Sequence, residues 1–325
     1  MDETKAIVKA DRRKKSGMAE KLRREKVKFR RNKGLLAMCI LPAIKIIIFS
    51  YLPMIGIIIA FKNFRAVDGI FGSDWVGLKN FEFFFKSNDA WRVMRNTLTF
   101  NVVNIVTSLV TNVVVALLLY EISNRIALKV YQTVLFVPYF FSMVLVGLML
   151  TPLLTSNGGL LTQLIENIWG KEINFYAEPK AWLIILPIVN LWKGVGYGSL
   201  IYYSSLMSID SALFEAAEID GANKFQRIRH ISIPTLMPMA CVLTIMNVGD
   251  ILNSGLGLFY YVTRDAKQLY EWTDVIDTYV FRSLTTGANF SVTSAVTLFQ
   301  NVVGLILIVV TNKIARSVDK EYALY

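Results

Sequence analysis

The sequence predicts an all-α, polytopic membrane protein with six transmembrane helices. Three observations carry that prediction: six apolar runs of spanning length, a low charge content, and a charge distribution that sorts the segments between the runs into two sets. The runs lie at about 35–61, 97–120, 131–153, 180–203, 237–262 and 290–312. Each is close to or above the roughly 20 apolar residues a helix needs to cross a bilayer. Lipid offers backbone groups no partner, so helices are the form such runs can take. Only 18% of the 325 residues are charged, against about 25% in soluble domains.

Residues 1–33 carry fourteen Lys or Arg, including RRKK at 12–15 and KLRREKVKFRR at 21–31. With that tail in the cytoplasm, the inner segments 1–34, 121–130, 204–236 and 313–325 hold 22 Lys plus Arg. The outer segments 62–96, 154–179 and 263–289 hold 10. This bias follows the positive-inside rule and predicts cytoplasmic N- and C-termini. It also accounts for the net charge of +11 without a nucleic-acid partner.

Taken in order, the tail 1–34 is too polar to bury a core. It is expected to lie as a basic helix on anionic membrane lipid, where each basic residue contributes roughly 1 kcal/mol. The first run follows a polar tail, exceeds a signal-peptide core in length and has no small-x-small site after it, so it is expected to persist as a helix. The segment GIFGSDWVGLKNFEFFF (69–85) is aromatic enough for the membrane interface. In the second run Thr97, Asn101, Asn104, Ser108 and Thr111 recur every three or four residues and share one helical face. Such a face must meet protein or water, either as interhelical glue or as the wall of a polar path. The third run reads as a single span.

The fourth run contains WKGVGYG at 192–198. It lacks the strand and spacing of a phosphate loop and is expected to permit close helix packing or a bend. Lys193, and Asp250 in the fifth run, are ionisable groups inside spans, where such groups usually face a cavity or a partner. The sixth run repeats the polar stripe with Thr293, Thr297, Gln300 or Asn301, and Gly304.

Between the fourth and fifth runs the chain reads EAAEIDGANKFQRIRHISIP at 215–234. Asp210 or Ser211 can cap a helix through LFEAAEI, and Gly221 can break it. NKFQRIRHI then forms a short amphipathic helix with Phe225, Ile228 and Ile231 on one side, which Pro234 is expected to stop. The two alanines leave one side narrow enough for another protein's groove.

No catalytic set accompanies this architecture. His230 is the sole histidine, and HExxH, GxSxG, CxxC and HxxxH are absent. Cys39 and Cys241 sit in or beside apolar runs, which excludes a disulfide framework or a CxxC metal site. Without a Walker A motif the chain cannot hydrolyse ATP by itself. No catalytic residue, metal or cofactor of its own is therefore expected, and the chain reads as a channel-like half that needs partners.

The spacing EAA, three residues, Gly, nine residues, Ile-x-Ile-Pro resembles the EAA loop of bacterial ABC importer permeases, with Ile233 where that family usually has Leu. FKNFRAVDGIFGSDWVGLKNF at 61–81, RNTL at 95–98 and DVIDTYVFR at 274–282 resemble the carbohydrate-uptake subfamily related to maltose-type permeases. Within it they are most similar to permeases for polysaccharide, aldouronate or other oligosaccharide uptake. The resemblance covers about 60–325. It implies a type I ABC importer permease fold in the bacterial plasma membrane, with a basic tail at 1–34 and a six-helix permease domain at 35–325.

By the same resemblance, the loop 204–236 is a coupling element that docks into a cytosolic ATPase through Phe214, Glu215, Ala216, Ala217, Asp220, Gly221, Ala222 and Phe225. The implied partners are a second, homologous permease, two ATPase subunits that use ATP and magnesium, an extracellular sugar-binding protein and an oligosaccharide. Sugars are held by hydrogen bonds to hydroxyls and by rings against CH faces, which nominates Asn104, Trp192, Lys193, Asn247, Asp250 and Asn253 for the path. Two alternatives stay open. A permease for a solute such as phosphate or polyamine would differ in which solute stimulates ATPase activity, and a membrane scaffold or receptor would give no uptake at any ATP concentration.

Overall fold

The computed structural model describes residues 31–155, 158–170, 174–287 and 289–325, so the expected basic tail lies outside the described residues up to position 30. The chain forms two compact units, 1–58 and 59–325. In the first, α1 (Lys33–Ile46) passes through a π-helical turn at Ile47–Tyr51 into a 3-10 stretch that starts at Leu52. The second opens with a small antiparallel ribbon, β1 (Lys62–Asn63) against β2 (Asp74–Trp75), with Lys62 opposite Trp75. The Asn80 amide holds the ribbon's entry by donating to the carbonyls of Ala60 and Lys62 at 2.8 and 2.9 Å.

The helices that follow are α2 (Asn88–Tyr120), α3 (Arg125–Phe136), α4 (Met143–Leu154), α5 (Leu160–Trp169), α6 (Trp182–Leu206), α7 (Ser211–Ile219), α8 (Lys224–Gly249), α9 (Ile276–Thr285) and α10 (Phe290–Val318). The architecture is all-α, with five helices among the described residues long and apolar enough to span a membrane, or six when α3 and α4 count as one span.

Two runs depart from the expected straight spans. The third bends by 96° between α3 with its following turn and α4. Pro138 opens a 3-10 turn at Val137–Phe140, Phe141 is extended, and Ser142 caps α4 by accepting from the Leu145 N–H at 3.2 Å. A proline and a cap inside an apolar run redirect the chain without lowering its hydropathy. The fifth run ends its helix at Gly249, and residues 250–255 are irregular before a π-helical turn at Leu258–Val262. Pro234 also does not stop the helix begun at Lys224. It falls at the start of the α-helical stretch that follows a π turn at Ile228–Ser232, where its missing N–H is tolerated.

The break at 250–255 is held by side chains from three other helices. The Asn101 amide of α2 donates to the Ile251 carbonyl at 2.7 Å and to Ser254 Oγ at 2.9 Å. Gln300 of α10 donates to the Leu252 carbonyl at 2.7 Å. A carboxylate oxygen of Asp277, in α9, accepts from the N–H groups of Ser254 and Gly255 at 2.6 and 3.1 Å. Irregular backbone at membrane depth persists only when it is supplied with such partners.

The main core gathers Phe100, Val146, Trp182, Leu186, Phe259 and Val262 between α2, α4, α6 and the segment after the break. At Gly196 an added Cβ would overlap the Leu135 carbonyl, so this glycine of the WKGVGYG run sets how closely α6 approaches α3, as the packing expectation held. At the N-terminal end of α2 lies a polar network. Asp274 has a fully buried side chain and pairs with Arg92 at 2.8 Å and with Arg282. Arg282 also reaches Asp265 at 2.8 Å, and the Thr278 hydroxyl donates to Asp274 at 2.7 Å. Burial, then a hydrogen bond to Asp265, push the Tyr270 hydroxyl up to about 12, so it remains a donor to Asp265 at physiological pH.

Candidate functional site

Two places concentrate the residues nominated from sequence: the turn between α7 and α8, and a polar cavity beside the break. α7 starts where Asp210 accepts from the Ala212 N–H at 3.0 Å, one of the two caps the sequence offered. Gly221 takes φ +81°, a left-handed conformation that glycine adopts at little cost. The Ala222 N–H then turns back to the Ala217 carbonyl at 2.9 Å. α8 opens with a capping box: Asn223 accepts from the Gln226 N–H at 2.9 Å, and Gln226 accepts from the Asn223 N–H at 2.8 Å. Sequence reasoning missed this box, although Asn and Gln three apart before an apolar series are its signal.

On this turn Glu215, Ala216, Asp220, Gly221 and Phe225 are exposed, while Phe214, Ala217 and Ala222 are half-buried. Ile219 and Phe225 leave large apolar side chains 87% and 71% exposed. Glu218 binds Arg227 at 3.0 Å, whereas Glu215 pairs with no described residue. A shallow groove of about 330 Å³ lies alongside, lined by Ala217, Asp220, Gly221, Ala222, Gln226, Arg227, His230 and Ile231. The turn is tied to the C-terminal end of α2. The Phe214 ring packs on Tyr120 with centroids 5.7 Å apart, and Lys224 pairs with Glu121 at 3.0 Å.

Asn104, Asn247, Asp250 and Asn253 come together in one cavity of about 330 Å³, with Asn101, Ser108, Asn112, Asn190, Tyr197 and Ser254 among its other walls. The side-chain oxygens of Asn104 and Asn112 are buried and have no hydrogen-bond partner among the described residues. Leaving such an acceptor unpaired costs about 1–3 kcal/mol. Trp192 and Lys193 lie apart from this cavity. Trp192 lines an apolar cavity of about 230 Å³ with Met149 and Ile188. Lys193 donates to the Tyr139 carbonyl at 2.7 Å and sits 5.3 Å over the Tyr139 ring.

The polar stripe of α2 divides between its two readings. Thr97 accepts from the Ile276 N–H at 2.9 Å, and Asn101 holds the break; Asn104 and Ser108 face the cavity. Sequence reasoning missed Asn112, Asn190 and Tyr197. Asn112 extends the series 101, 104, 108 by one further turn, and Asn190, Gly194 and Tyr197 share a face of α6 at four- and three-residue spacing.

Residues 113–323 match the family described as "binding-protein-dependent transport system inner membrane component". Protein LplB of Bacillus subtilis is 33% identical over 292 residues, which span 90% of this chain and 91% of that protein. The polygalacturonan/rhamnogalacturonan transport system permease protein YteP, also from Bacillus subtilis, is 32% identical over 93% of this chain and 94% of its own. A crystal structure of a bacterial ABC transporter involved in importing the acidic polysaccharide alginate contains a chain that superposes with a TM-score of 0.81. The two are 30% identical, with 90% of this chain and 98% of that one covered.

Proposed function

Because the chain belongs to the binding-protein-dependent transport system inner membrane component family, and is a multi-pass permease, we propose that it forms one half of the translocation path of an ABC importer for oligosaccharides. The observation that carries this reading is the cavity beside the break. It places four nominated side chains together with two unpartnered amide oxygens, and groups that both donate and accept suit vicinal hydroxyls. The saccharide-transport names of relatives similar over nine-tenths of this chain support the substrate class.

In the assembly we infer, a second homologous permease completes the path, an extracellular binding protein delivers the sugar, and two ATPase subunits bind ATP and magnesium in the cytoplasm. The turn from Phe214 to Phe225 docks into one ATPase. Its exposed Ile219 and Phe225, and the unpaired Glu215, support that role. The Lys and Arg distribution supports cytoplasmic termini around a permease domain of residues 35–325, with 1–34 as a lipid-facing tail.

The first test is purification of the C-terminally tagged chain from native membranes in mild detergent, with mass spectrometry of what accompanies it. A second permease and an ATPase are expected, and a chain that purifies alone where a known importer stays assembled would reject the proposal. The double substitution Asn104→Leu with Asn112→Leu should then lower uptake by the reconstituted assembly at least about tenfold, the equivalent of one lost polar contact, with the same subunits still co-purifying. Undiminished uptake would remove this cavity from the path.

A further inference from the structure

The cavity's charge bears on which saccharides this permease admits. Asp250 is its one ionisable carboxyl group among the described lining residues, and no Lys, Arg or His stands with it. The nearest cation by sequence, Lys193, is turned away onto the Tyr139 carbonyl and ring. Asp250 itself is exposed on the cavity side of the break and forms no ion pair with any described residue. The remaining polar groups are amides and hydroxyls, which donate as well as accept, so Asp250 is the one carboxylate among the described lining residues and no cation offsets it.

Amides and hydroxyls match neutral sugar hydroxyls in both directions, whereas the Asp250 carboxylate opposes a sugar carboxylate. We propose that Asp250 is a specificity-determining residue that fits the path to uncharged oligosaccharides and disfavours uronates, in contrast to the acidic polysaccharide named for the structurally similar transporter. The proposal rests on the oligosaccharide-permease reading above.

A uronate carboxylate passing about 6 Å from Asp250, at an effective dielectric near 20, is disfavoured on the order of 100-fold relative to a neutral ring. Asp250 is the one carboxylate among the described residues lining the cavity, so the expected preference is that of a single repulsive pair.

The test is competitive uptake by the reconstituted full assembly of a neutral oligosaccharide and a uronate oligosaccharide of equal length, each delivered on its own binding protein or loaded at saturating concentration. The wild type is expected to favour the neutral sugar. Asp250→Asn should raise the uronate-to-neutral uptake ratio by about 10- to 100-fold, and Asp250→Glu should keep the wild-type ratio. A role limited to holding the fold would lower both uptakes and leave the ratio unmoved, which overturns the proposal, as would equal uptake of both sugars by the wild type. Failure of every saccharide, with the assembly intact and another solute transported, would overturn the oligosaccharide reading itself.

Discussion

Replacing Gly221 by aspartate is expected to abolish uptake while the chain still reaches the membrane. The position has φ +81°, and an added Cβ would meet nothing within 4 Å. No packing is lost, so folding and insertion should survive. The backbone, however, must hold a left-handed conformation that costs a residue with a Cβ roughly 1–2 kcal/mol. The new carboxylate also stands beside Asp220 on the exposed face of the turn proposed to dock the ATPase. Asparagine meets about the same backbone cost as aspartate but adds no charge, so Gly221→Asn should retain much of the activity. The measurement is uptake in parallel with co-purification of the ATPase, and normal uptake by Gly221→Asp would sink the docking assignment.

Asp274→Leu should produce the largest loss of stability. Its side chain is fully buried between two arginines that are themselves 31% and 19% exposed. Breaking a buried pair by removing one partner typically costs 3–5 kcal/mol. Here Arg92 keeps Asp89 and Arg282 keeps Asp265, and both guanidinium groups reach solvent, which places the expected cost near the bottom of that range, about 3 kcal/mol. Thermal unfolding of the purified protein, followed by tryptophan fluorescence, should show a clear fall in Tm. Asp89→Ala, which removes a more exposed partner, should lower the unfolding free energy by under about 1 kcal/mol. An unchanged Tm for Asp274→Leu would mean that the network contributes nothing net.

Hydropathy and spacing made the spans, the turn at Gly221 and the polar face of α2 readable, because each is a local pattern of residue types. The bend at Phe141 and Ser142 was not, since Pro138 and Ser142 are two residues in an otherwise apolar run. The break at 250–255 was half visible. Asp250, Asn253, Ser254 and Gly255 are an odd set for a span, yet what makes the break affordable are Asn101, Asp277 and Gln300, supplied by other helices. Long-range partners leave no mark in spacing. Lys193 shows the converse: its position in a span nominated it for the path, while its long side chain reaches the Tyr139 carbonyl and ring on the turn after α3.

The unbroken length of α2 has a mechanical consequence. Its 33 residues make a rod roughly 50 Å long. The rod is gripped at Asn101 by the break, at Arg92 and Asn96 by the buried acidic network, and at Tyr120 by the turn between α7 and α8. With Asn101 as the fulcrum, the arm toward Tyr120 is about 28 Å and the arm toward Arg92 about 14 Å. A tilt of about 5° would then carry Tyr120 by about 2.5 Å and Arg92 by about 1 Å the other way. Such a seesaw would drive the two ends of α2 in opposite directions, so that a push delivered at one end arrives at the other reversed and halved or doubled by the ratio of the arms.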